Sequence, residues 1–128
     1  MILSEFLEPV SKNPRIRIRK DITLPDDPGC VVYWMQRAQR AYSNQALDSA
    51  VEFANRLKLP LAVIFNLVKN YGSSTERHYN FMLNGLRETE ESVREMGAAF
   101  FICETDGDVH DSVIKSVAAL KGAILVSD

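Results

Sequence analysis

Two arginines, Arg37 and Arg40, are the residues of this 128-residue chain whose type and spacing best suit ligand binding. They lie in M-Q-R-A-Q-R, directly after an apolar run, so two permanent cations and two amides follow the end of a predicted strand. These groups donate hydrogen bonds in fixed directions to acceptors on an anion or a flat ring. The segment Met35 to Arg40 therefore predicts binding, and the open alternative is that the arginines are structural and bond strand-end carbonyls.

Other site chemistry has little support in the sequence. His78 and His110 lack a motif that would supply a serine or cysteine nucleophile. Cys30 and Cys103 lack the short spacing of a metal site. The six glycines are scattered and form neither a G-x-G-x-x-G nor a Walker pattern. We therefore predict no catalytic residue and no metal site.

An α/β sheet is the element pattern that would position the arginine segment. Short apolar runs alternate three times with helical periodicity, which indicates parallel strands, right-handed crossovers and helices on both faces. The predicted strands lie near 30–36, 61–67, 98–103 and 123–127. The predicted helices lie near 44–58, 74–96 and 109–121.

Capping residues set the predicted helix limits. Ser43 is the predicted N-cap of the first helix, and Ser73 begins a capping box at the second. Asp108 can cap the third helix. Gly97 and Gly122 are expected to end the second and third helices, because glycine tolerates the left-handed conformation that follows a helix.

Two blocks of the sequence resemble DNA photolyases and cryptochromes. The family pattern R-D-x-R followed by D-N-x-A-L is matched at Arg37, Arg40, Asn44, Ala46 and Leu47, with Ala38 and Ser43 replacing the two acids. The sequence Y-W-M-Q-R at Tyr33 to Arg37 is similar to that of the class II cyclobutane pyrimidine dimer photolyases. A second block, R-x-Y-x-F-M-L-x-G-L-x-E, is also similar to class II and is formed by Arg77, Tyr79, Phe81, Met82, Leu83, Gly85, Leu86 and Glu88.

This resemblance implies a fold and a domain limit. Residues 30–128 would form the N-terminal α/β antenna domain, a Rossmann-like three-layer sandwich with parallel strand order 3-2-1-4. The fifth strand of the family and its large helical FAD domain would lie beyond this chain. Residues 1–29 would be a basic N-terminal extension.

The same resemblance implies a function. The parent protein would be a deoxyribodipyrimidine photo-lyase that repairs DNA with light, while this chain alone would be inactive. FAD and DNA would be bound only through the helical domain, which would be the main partner. An antenna pigment, a hydroxy-deazaflavin or a folate, would occupy a crevice above the first and fourth strands or the domain boundary. The predicted pigment-binding residues are Met35, Gln36, Arg37, Gln39, Arg40, Ser127 and Asp128.

Charge is concentrated in the extension. The chain has a formal net charge of -2, which gives no global attraction to nucleic acid. The extension nevertheless carries a cluster of basic residues interspersed with Ile16 and Ile18, namely Lys12, Arg15, Arg17, Arg19 and Lys20. This basic cluster is either an arm that contacts phosphates or docks a partner, or a solvated segment with one apolar edge on the domain. No apolar run approaches the length that crosses a bilayer, and two cysteines without a metal-site spacing favour a cytoplasmic protein.

Two further classes of function stay open at this point. One is a stand-alone nucleotide- or small-molecule-binding module of Rossmann-like fold, against which the missing glycine-rich loop argues. The other is a protein-interaction module. A fourth strand without its usual neighbour also predicts a homo-oligomer through that edge, because unpaired backbone groups favour strand pairing.

Overall fold

A computed structural model of the protein describes residues 3–6, 14–20, 23–36, 39–68, 76–105 and 108–128. Its elements are, in order, α1 (Leu3–Phe6), β1 (Cys30–Met35), α2 (Gln45–Leu57), β2 (Leu61–Val68), α3 (Glu76–Glu95), β3 (Ala99–Thr105), α4 (Val109–Ala119) and β4 (Gly122–Ser127). The strands form one parallel sheet in the order β3-β2-β1-β4. The predicted fold class and strand order are therefore confirmed.

Helices cover the two faces of this sheet unequally. Alternate residues of β1, such as Val31 and Tyr33, face a cluster built with Leu47 of α2 and Leu86 of α3. Those between them, such as Val32, face a smaller cluster completed by α4. Because β1 is buried on both faces, its sequence is a continuous apolar run.

The sheet register places the carboxyl ends of β1, β2 and β4 side by side at one end of the sheet. Met35 pairs with Phe65 of β2, and Trp34 pairs with Ser127 of β4. The β1-to-β2 connection carries α2 over one face, whereas the β3-to-β4 connection carries α4 over the other. The strand order reverses at β1, since β2 lies on one side of it and β4 on the other. Ligands of open α/β sheets bind in a crevice at the carboxyl ends of the strands at such a reversal. We therefore expect the crevice between β1 and β4.

The start of α2 differs from the prediction. Asn44, not Ser43, is the N-cap, since its Oδ1 accepts a hydrogen bond from the Leu47 amide at 3.0 Å. Ser43 has a left-handed backbone with φ of 50°. The predicted cap Ser73 lies outside the described residues.

The other predicted helix limits are reproduced in part. Gly97, with φ of 87°, follows α3 in the left-handed conformation, as predicted. Asp108 caps α4 as predicted, accepting from the His110 amide at 2.9 Å. Gly122 does not end α4, because it is the first residue of β4 and Lys121 makes the left-handed turn before it.

The N-terminal segment packs against the domain. Leu3 is buried in the larger core cluster, and Ile18 and Leu24 contact that cluster from the surface. The short helix α1 was not predicted from the sequence. None of the helices in the described ranges has the length and apolar character needed to span a membrane.

Candidate functional site

A buried tyrosine and asparagine lie beneath the crevice. Tyr33 of β1 has no exposed surface, and its hydroxyl oxygen accepts a hydrogen bond from Nδ2 of Asn44 at 3.0 Å. The same Nδ2 group donates to the carbonyl oxygen of Arg40 at 3.0 Å. Because Asn44 also caps α2, one side chain joins β1, the turn that follows it and the next helix.

Arg40 contacts its own turn. Its Nε and Nη2 atoms both donate to the carbonyl oxygen of Ser43, at 3.1 Å and 3.0 Å. A guanidinium held in this bidentate manner fixes the loop that leads into α2. This geometry agrees with the structural alternative for Arg40, although the side chain is exposed at the mouth of the crevice.

The opposite wall comes from β4. Oδ1 of Asp128 accepts a hydrogen bond from the backbone N–H of Gln36 at 3.0 Å. Gln36 is the first residue after β1, so the end of β4 is bonded to the end of β1. The Asp128 carboxylate thus accepts from the Gln36 N–H, which is no longer available to a ligand in the crevice.

Charge and burial act together on Tyr33. The pKa of its phenol is raised to about 12, chiefly by burial, and the hydrogen bond from Asn44 opposes that rise. The Asp128 carboxylate contributes to the rise by its charge and a hydrogen bond, while the Arg40 cation opposes it. Tyr33 is therefore neutral at physiological pH, and its hydroxyl serves as a hydrogen-bonding group of the crevice floor.

The turn is also tied to α3. Thr89 is 6% exposed, and its Oγ1 donates to the carbonyl oxygen of Gln39 at 2.9 Å, with the Gly85 oxygen at 3.1 Å. The Gln39 amide in turn donates to the carbonyl oxygen of Gln36 at 3.3 Å. Side chains at the end of β4, at the start of α2 and on α3 thus hold the backbone of Gln36, Arg40 and Gln39.

The predicted site residues are partly brought together. Gln36, Gln39, Arg40, Ser127 and Asp128 are exposed around the crevice, with Gln36 and Asp128 in direct contact. The Met35 side chain instead lies fully buried in the larger core cluster. Arg37 lies outside the described residues.

Sequence reasoning missed three residues that hold the crevice. In the sequence, Tyr33 and Asn44 contribute to the family motifs without a predicted role in the site, and Thr89 has no predicted role. A tyrosine in an otherwise aliphatic buried strand is the signal that could have been used, since a buried hydroxyl needs a hydrogen-bonding partner.

A second concavity, of about 380 Å³, opens beside β3 and α4. Its lining is polar and consists of Glu104, Thr105, Asp108, Asp111, Ser112, Lys115 and Ser116. Lys115 pairs with Asp111 at 3.0 Å, so part of the charge is compensated internally. Within the described ranges, no group of three or more His, Cys, Asp or Glu side chains could hold a metal ion.

Comparisons with known proteins agree on one family. The profile of the DNA photolyase family matches residues 31–127. A deoxyribodipyrimidine photo-lyase of Arabidopsis thaliana is 37% identical over 123 residues, which make up 93% of this chain and 24% of that protein. One from Potorous tridactylus is 40% identical over 89 residues, 69% of this chain and 17% of that protein.

A third deoxyribodipyrimidine photo-lyase, from Methanothermobacter thermautotrophicus, is 46% identical over 67 residues, 52% of this chain and 15% of that protein. The chain thus spans about a quarter or less of the length of these relatives. Among solved structures, the universal stress protein from Archaeoglobus fulgidus matches with a TM-score of 0.55 and 14% identity, over 77% of this chain and 74% of that chain. At that identity the match supports the α/β fold alone.

Proposed function

Because the chain belongs to the DNA photolyase family, we propose that it is the antenna-pigment domain of a light-driven enzyme that repairs cyclobutane pyrimidine dimers in DNA. The observation that supports this role is the strand order, which reverses between β1 and β4 and therefore favours a ligand crevice at their carboxyl ends. The comparisons contain nothing that favours a stand-alone module.

The proposed ligand is a planar aromatic pigment, either a hydroxy-deazaflavin or a folate. A flat ring with oxygen and nitrogen atoms at its edge needs directed donors and acceptors more than charge. Exposed groups of both kinds surround the crevice, with amides at Gln36 and Gln39, a guanidinium at Arg40 and a carboxylate at Asp128. We assign Arg37 and Gln39 as the main donors and keep Met35 and Ser127 as further members of the proposed site.

The remaining functions are assigned to another domain. A helical FAD domain would be the principal partner, would carry the electron-transfer chemistry of dimer splitting, and would supply the DNA contact implied by the family. We place residues 30–128 in the antenna domain and residues 1–29 in an extension. A cytoplasmic setting fits two free cysteines that are not joined in a disulfide.

Titration with a hydroxy-deazaflavin and, separately, with a folate tests the pigment site by absorbance and fluorescence polarisation. The Arg37→Ala, Gln39→Ala double variant removes the two proposed donors, each contributing about 1 kcal/mol, so we expect affinity to fall about 10- to 30-fold. A matched variant, Asn84→Ala with Arg87→Ala, removes an amide and a guanidinium from the exposed surface of α3 and should bind like the wild type. Absence of binding by either pigment, or equal binding by all three proteins, would contradict the assignment.

We also propose self-association through β4. In the described sheet β4 pairs only with β1, and the side chains of Leu125 on β4 and Ile114 on α4 are 46% and 66% exposed. Sedimentation velocity over a range of concentrations should show a dimer that Leu125→Lys shifts toward monomer. Phe81→Lys, at an equally apolar and 82% exposed position on α3, is the control and should leave the dimer intact. A wild-type monomer at every concentration would rule out this interface.

A further inference from the structure

The positive charge of this protein is concentrated in one short segment. Residues 12–20, K-N-P-R-I-R-I-R-K, hold five of the 15 lysines and arginines and no acidic residue. Since the whole chain has a formal net charge of -2, the rest of it carries -7. A local field of opposite sign to the rest of the molecule marks a surface suited to an anionic partner. The described part of this segment, residues 14–20, is called the basic arm below.

The cations of the arm are exposed, whereas its isoleucines, Ile16 and Ile18, are half-buried. Ile18 packs against the larger core cluster. The exposed cations are Arg15, Arg17, Arg19 and Lys20. Ile18 therefore anchors the arm on the domain and leaves the cations at its surface.

Residue type favours phosphates as the partner groups. The arm belongs to no helix or strand, so its exposed side chains are not fixed by a regular element. Three of the four exposed cations are arginines, whose planar guanidinium binds a phosphate through two parallel hydrogen bonds. We propose that the basic arm binds the phosphate backbone of DNA, independently of base sequence.

Other partners fit the arm less well. Residues 12–20 contain no aromatic side chain to stack on a base, so base-specific recognition is not expected. A peripheral membrane segment needs apolar side chains that enter the lipid, whereas Ile18 packs against the core of the domain and Ile16 is half-buried. The arm thus adds a DNA contact outside residues 31–127, the range shared with the family profile, and extends the expectation that DNA is bound only through a helical domain.

The proposal has a measurable salt dependence. If the arm neutralises three or four phosphates, the slope of log affinity against log salt is about -2.7 to -3.6 for duplex DNA. Affinity should then fall about 40- to 150-fold between about 50 and 200 mM salt. The negative charge of the rest of the chain opposes binding, so we expect the interaction to be detectable chiefly at low salt.

Fluorescence anisotropy with a labelled DNA duplex of mixed sequence, measured over a salt series, tests the arm. The test variant is Arg17→Gln, Arg19→Gln, Lys20→Gln. The control is Lys58→Gln, Arg87→Gln, Lys121→Gln, which makes the same change in net charge at exposed positions elsewhere. Circular dichroism confirms that each variant is folded.

We expect the arm variant to lose at least about 10-fold in affinity and to show a slope reduced by about 3, while the control changes affinity less than about 3-fold. Equal losses in both variants, or no binding by the wild type at low salt, would overturn the proposal. Tighter binding to vesicles of anionic lipid or to polyglutamate than to DNA would also overturn it by identifying a different partner. The crevice residues are intact in both variants, so pigment titration remains an independent measurement.

Discussion

Replacing Asn44 with alanine tests the hydrogen-bond network that fixes the crevice. The substitution removes the N-cap of α2, which is worth about 1 kcal/mol, and leaves the buried Tyr33 hydroxyl and the Arg40 carbonyl without their donor. A buried polar group deprived of its partner costs about 1–3 kcal/mol. We expect the free energy of unfolding to fall by about 2–4 kcal/mol, a large share of the roughly 5–15 kcal/mol typical of a domain.

Two companion variants separate the contributions. Asn44→Ser keeps an oxygen that can accept from the Leu47 amide but lacks the amide donor to Tyr33 and Arg40, so its loss should be smaller than that of Asn44→Ala. Ser43→Ala removes the other residue able to cap this helix. Because the Ser43 backbone is left-handed and Asn44 makes the capping bond, Ser43→Ala should cost less than about 0.5 kcal/mol.

Urea unfolding provides the measurement, followed by circular dichroism for the helices and by the fluorescence of Trp34, the single tryptophan. The slope against urea should be unchanged among the variants, so that midpoints report stability. A loss below about 0.5 kcal/mol in Asn44→Ala would refute the network. If Ser43→Ala lowered the free energy of unfolding as much as Asn44→Ala, Ser43 would instead be the N-cap.

Three further predictions concern the Tyr33 phenol, two glycines and the Cys30 thiol. The pKa of Tyr33, raised to about 12, means that the unfolded chain releases this proton first, so stability is complete below about pH 10 and falls by about 2 kcal/mol as pH rises to about 12; urea unfolding of Tyr33→Phe should lack that part of the loss. Gly29→Ala should cost about 1–3 kcal/mol in thermal or urea unfolding, because its Cβ would lie 2.6 Å from a backbone oxygen after α4, whereas Gly85→Ala, with no atom within 4 Å, should stabilise α3 by about 0.5–1 kcal/mol; the reverse order would contradict the packing. Burial raises the pKa of the Cys30 thiol, so a thiol reagent at neutral pH should modify native Cys103→Ser protein much more slowly than native Cys30→Ser protein, and equal rates would show that Cys30 is accessible.

The strands were predictable because the sheet is buried on both sides. Continuous apolar runs such as Val31 to Met35 mark a parallel strand without any knowledge of its neighbours. The order of strands, however, came from the family resemblance, since periodicity does not specify which edge a strand joins. The strand limits then differed from the structure by no more than two residues.

The site was less predictable, because its details depend on which side chains face each other. Met35 follows the strand alternation and faces the α2 and α3 core, a direction that its place at the end of an apolar run does not reveal. Ser43 and Asn44 are both good capping residues, and the choice between them depends on the donor required by the Tyr33 hydroxyl. Such choices are made by tertiary contacts, which a local pattern does not contain.

Rigidity is the property that connects this network with the proposed antenna role. A pigment transfers excitation efficiently only when its ring is held at a fixed distance and orientation, and this requires no catalytic group. After β1, Asn44 at the start of α2 bonds the backbone of Arg40, Thr89 of α3 bonds that of Gln39, and Asp128 at the end of β4 bonds that of Gln36. A site fixed before binding loses less conformational entropy when its ligand is bound. We therefore expect loosening of the turn to weaken pigment binding even where every exposed donor is retained, so Thr89→Val should lower pigment affinity with the donor side chains unchanged.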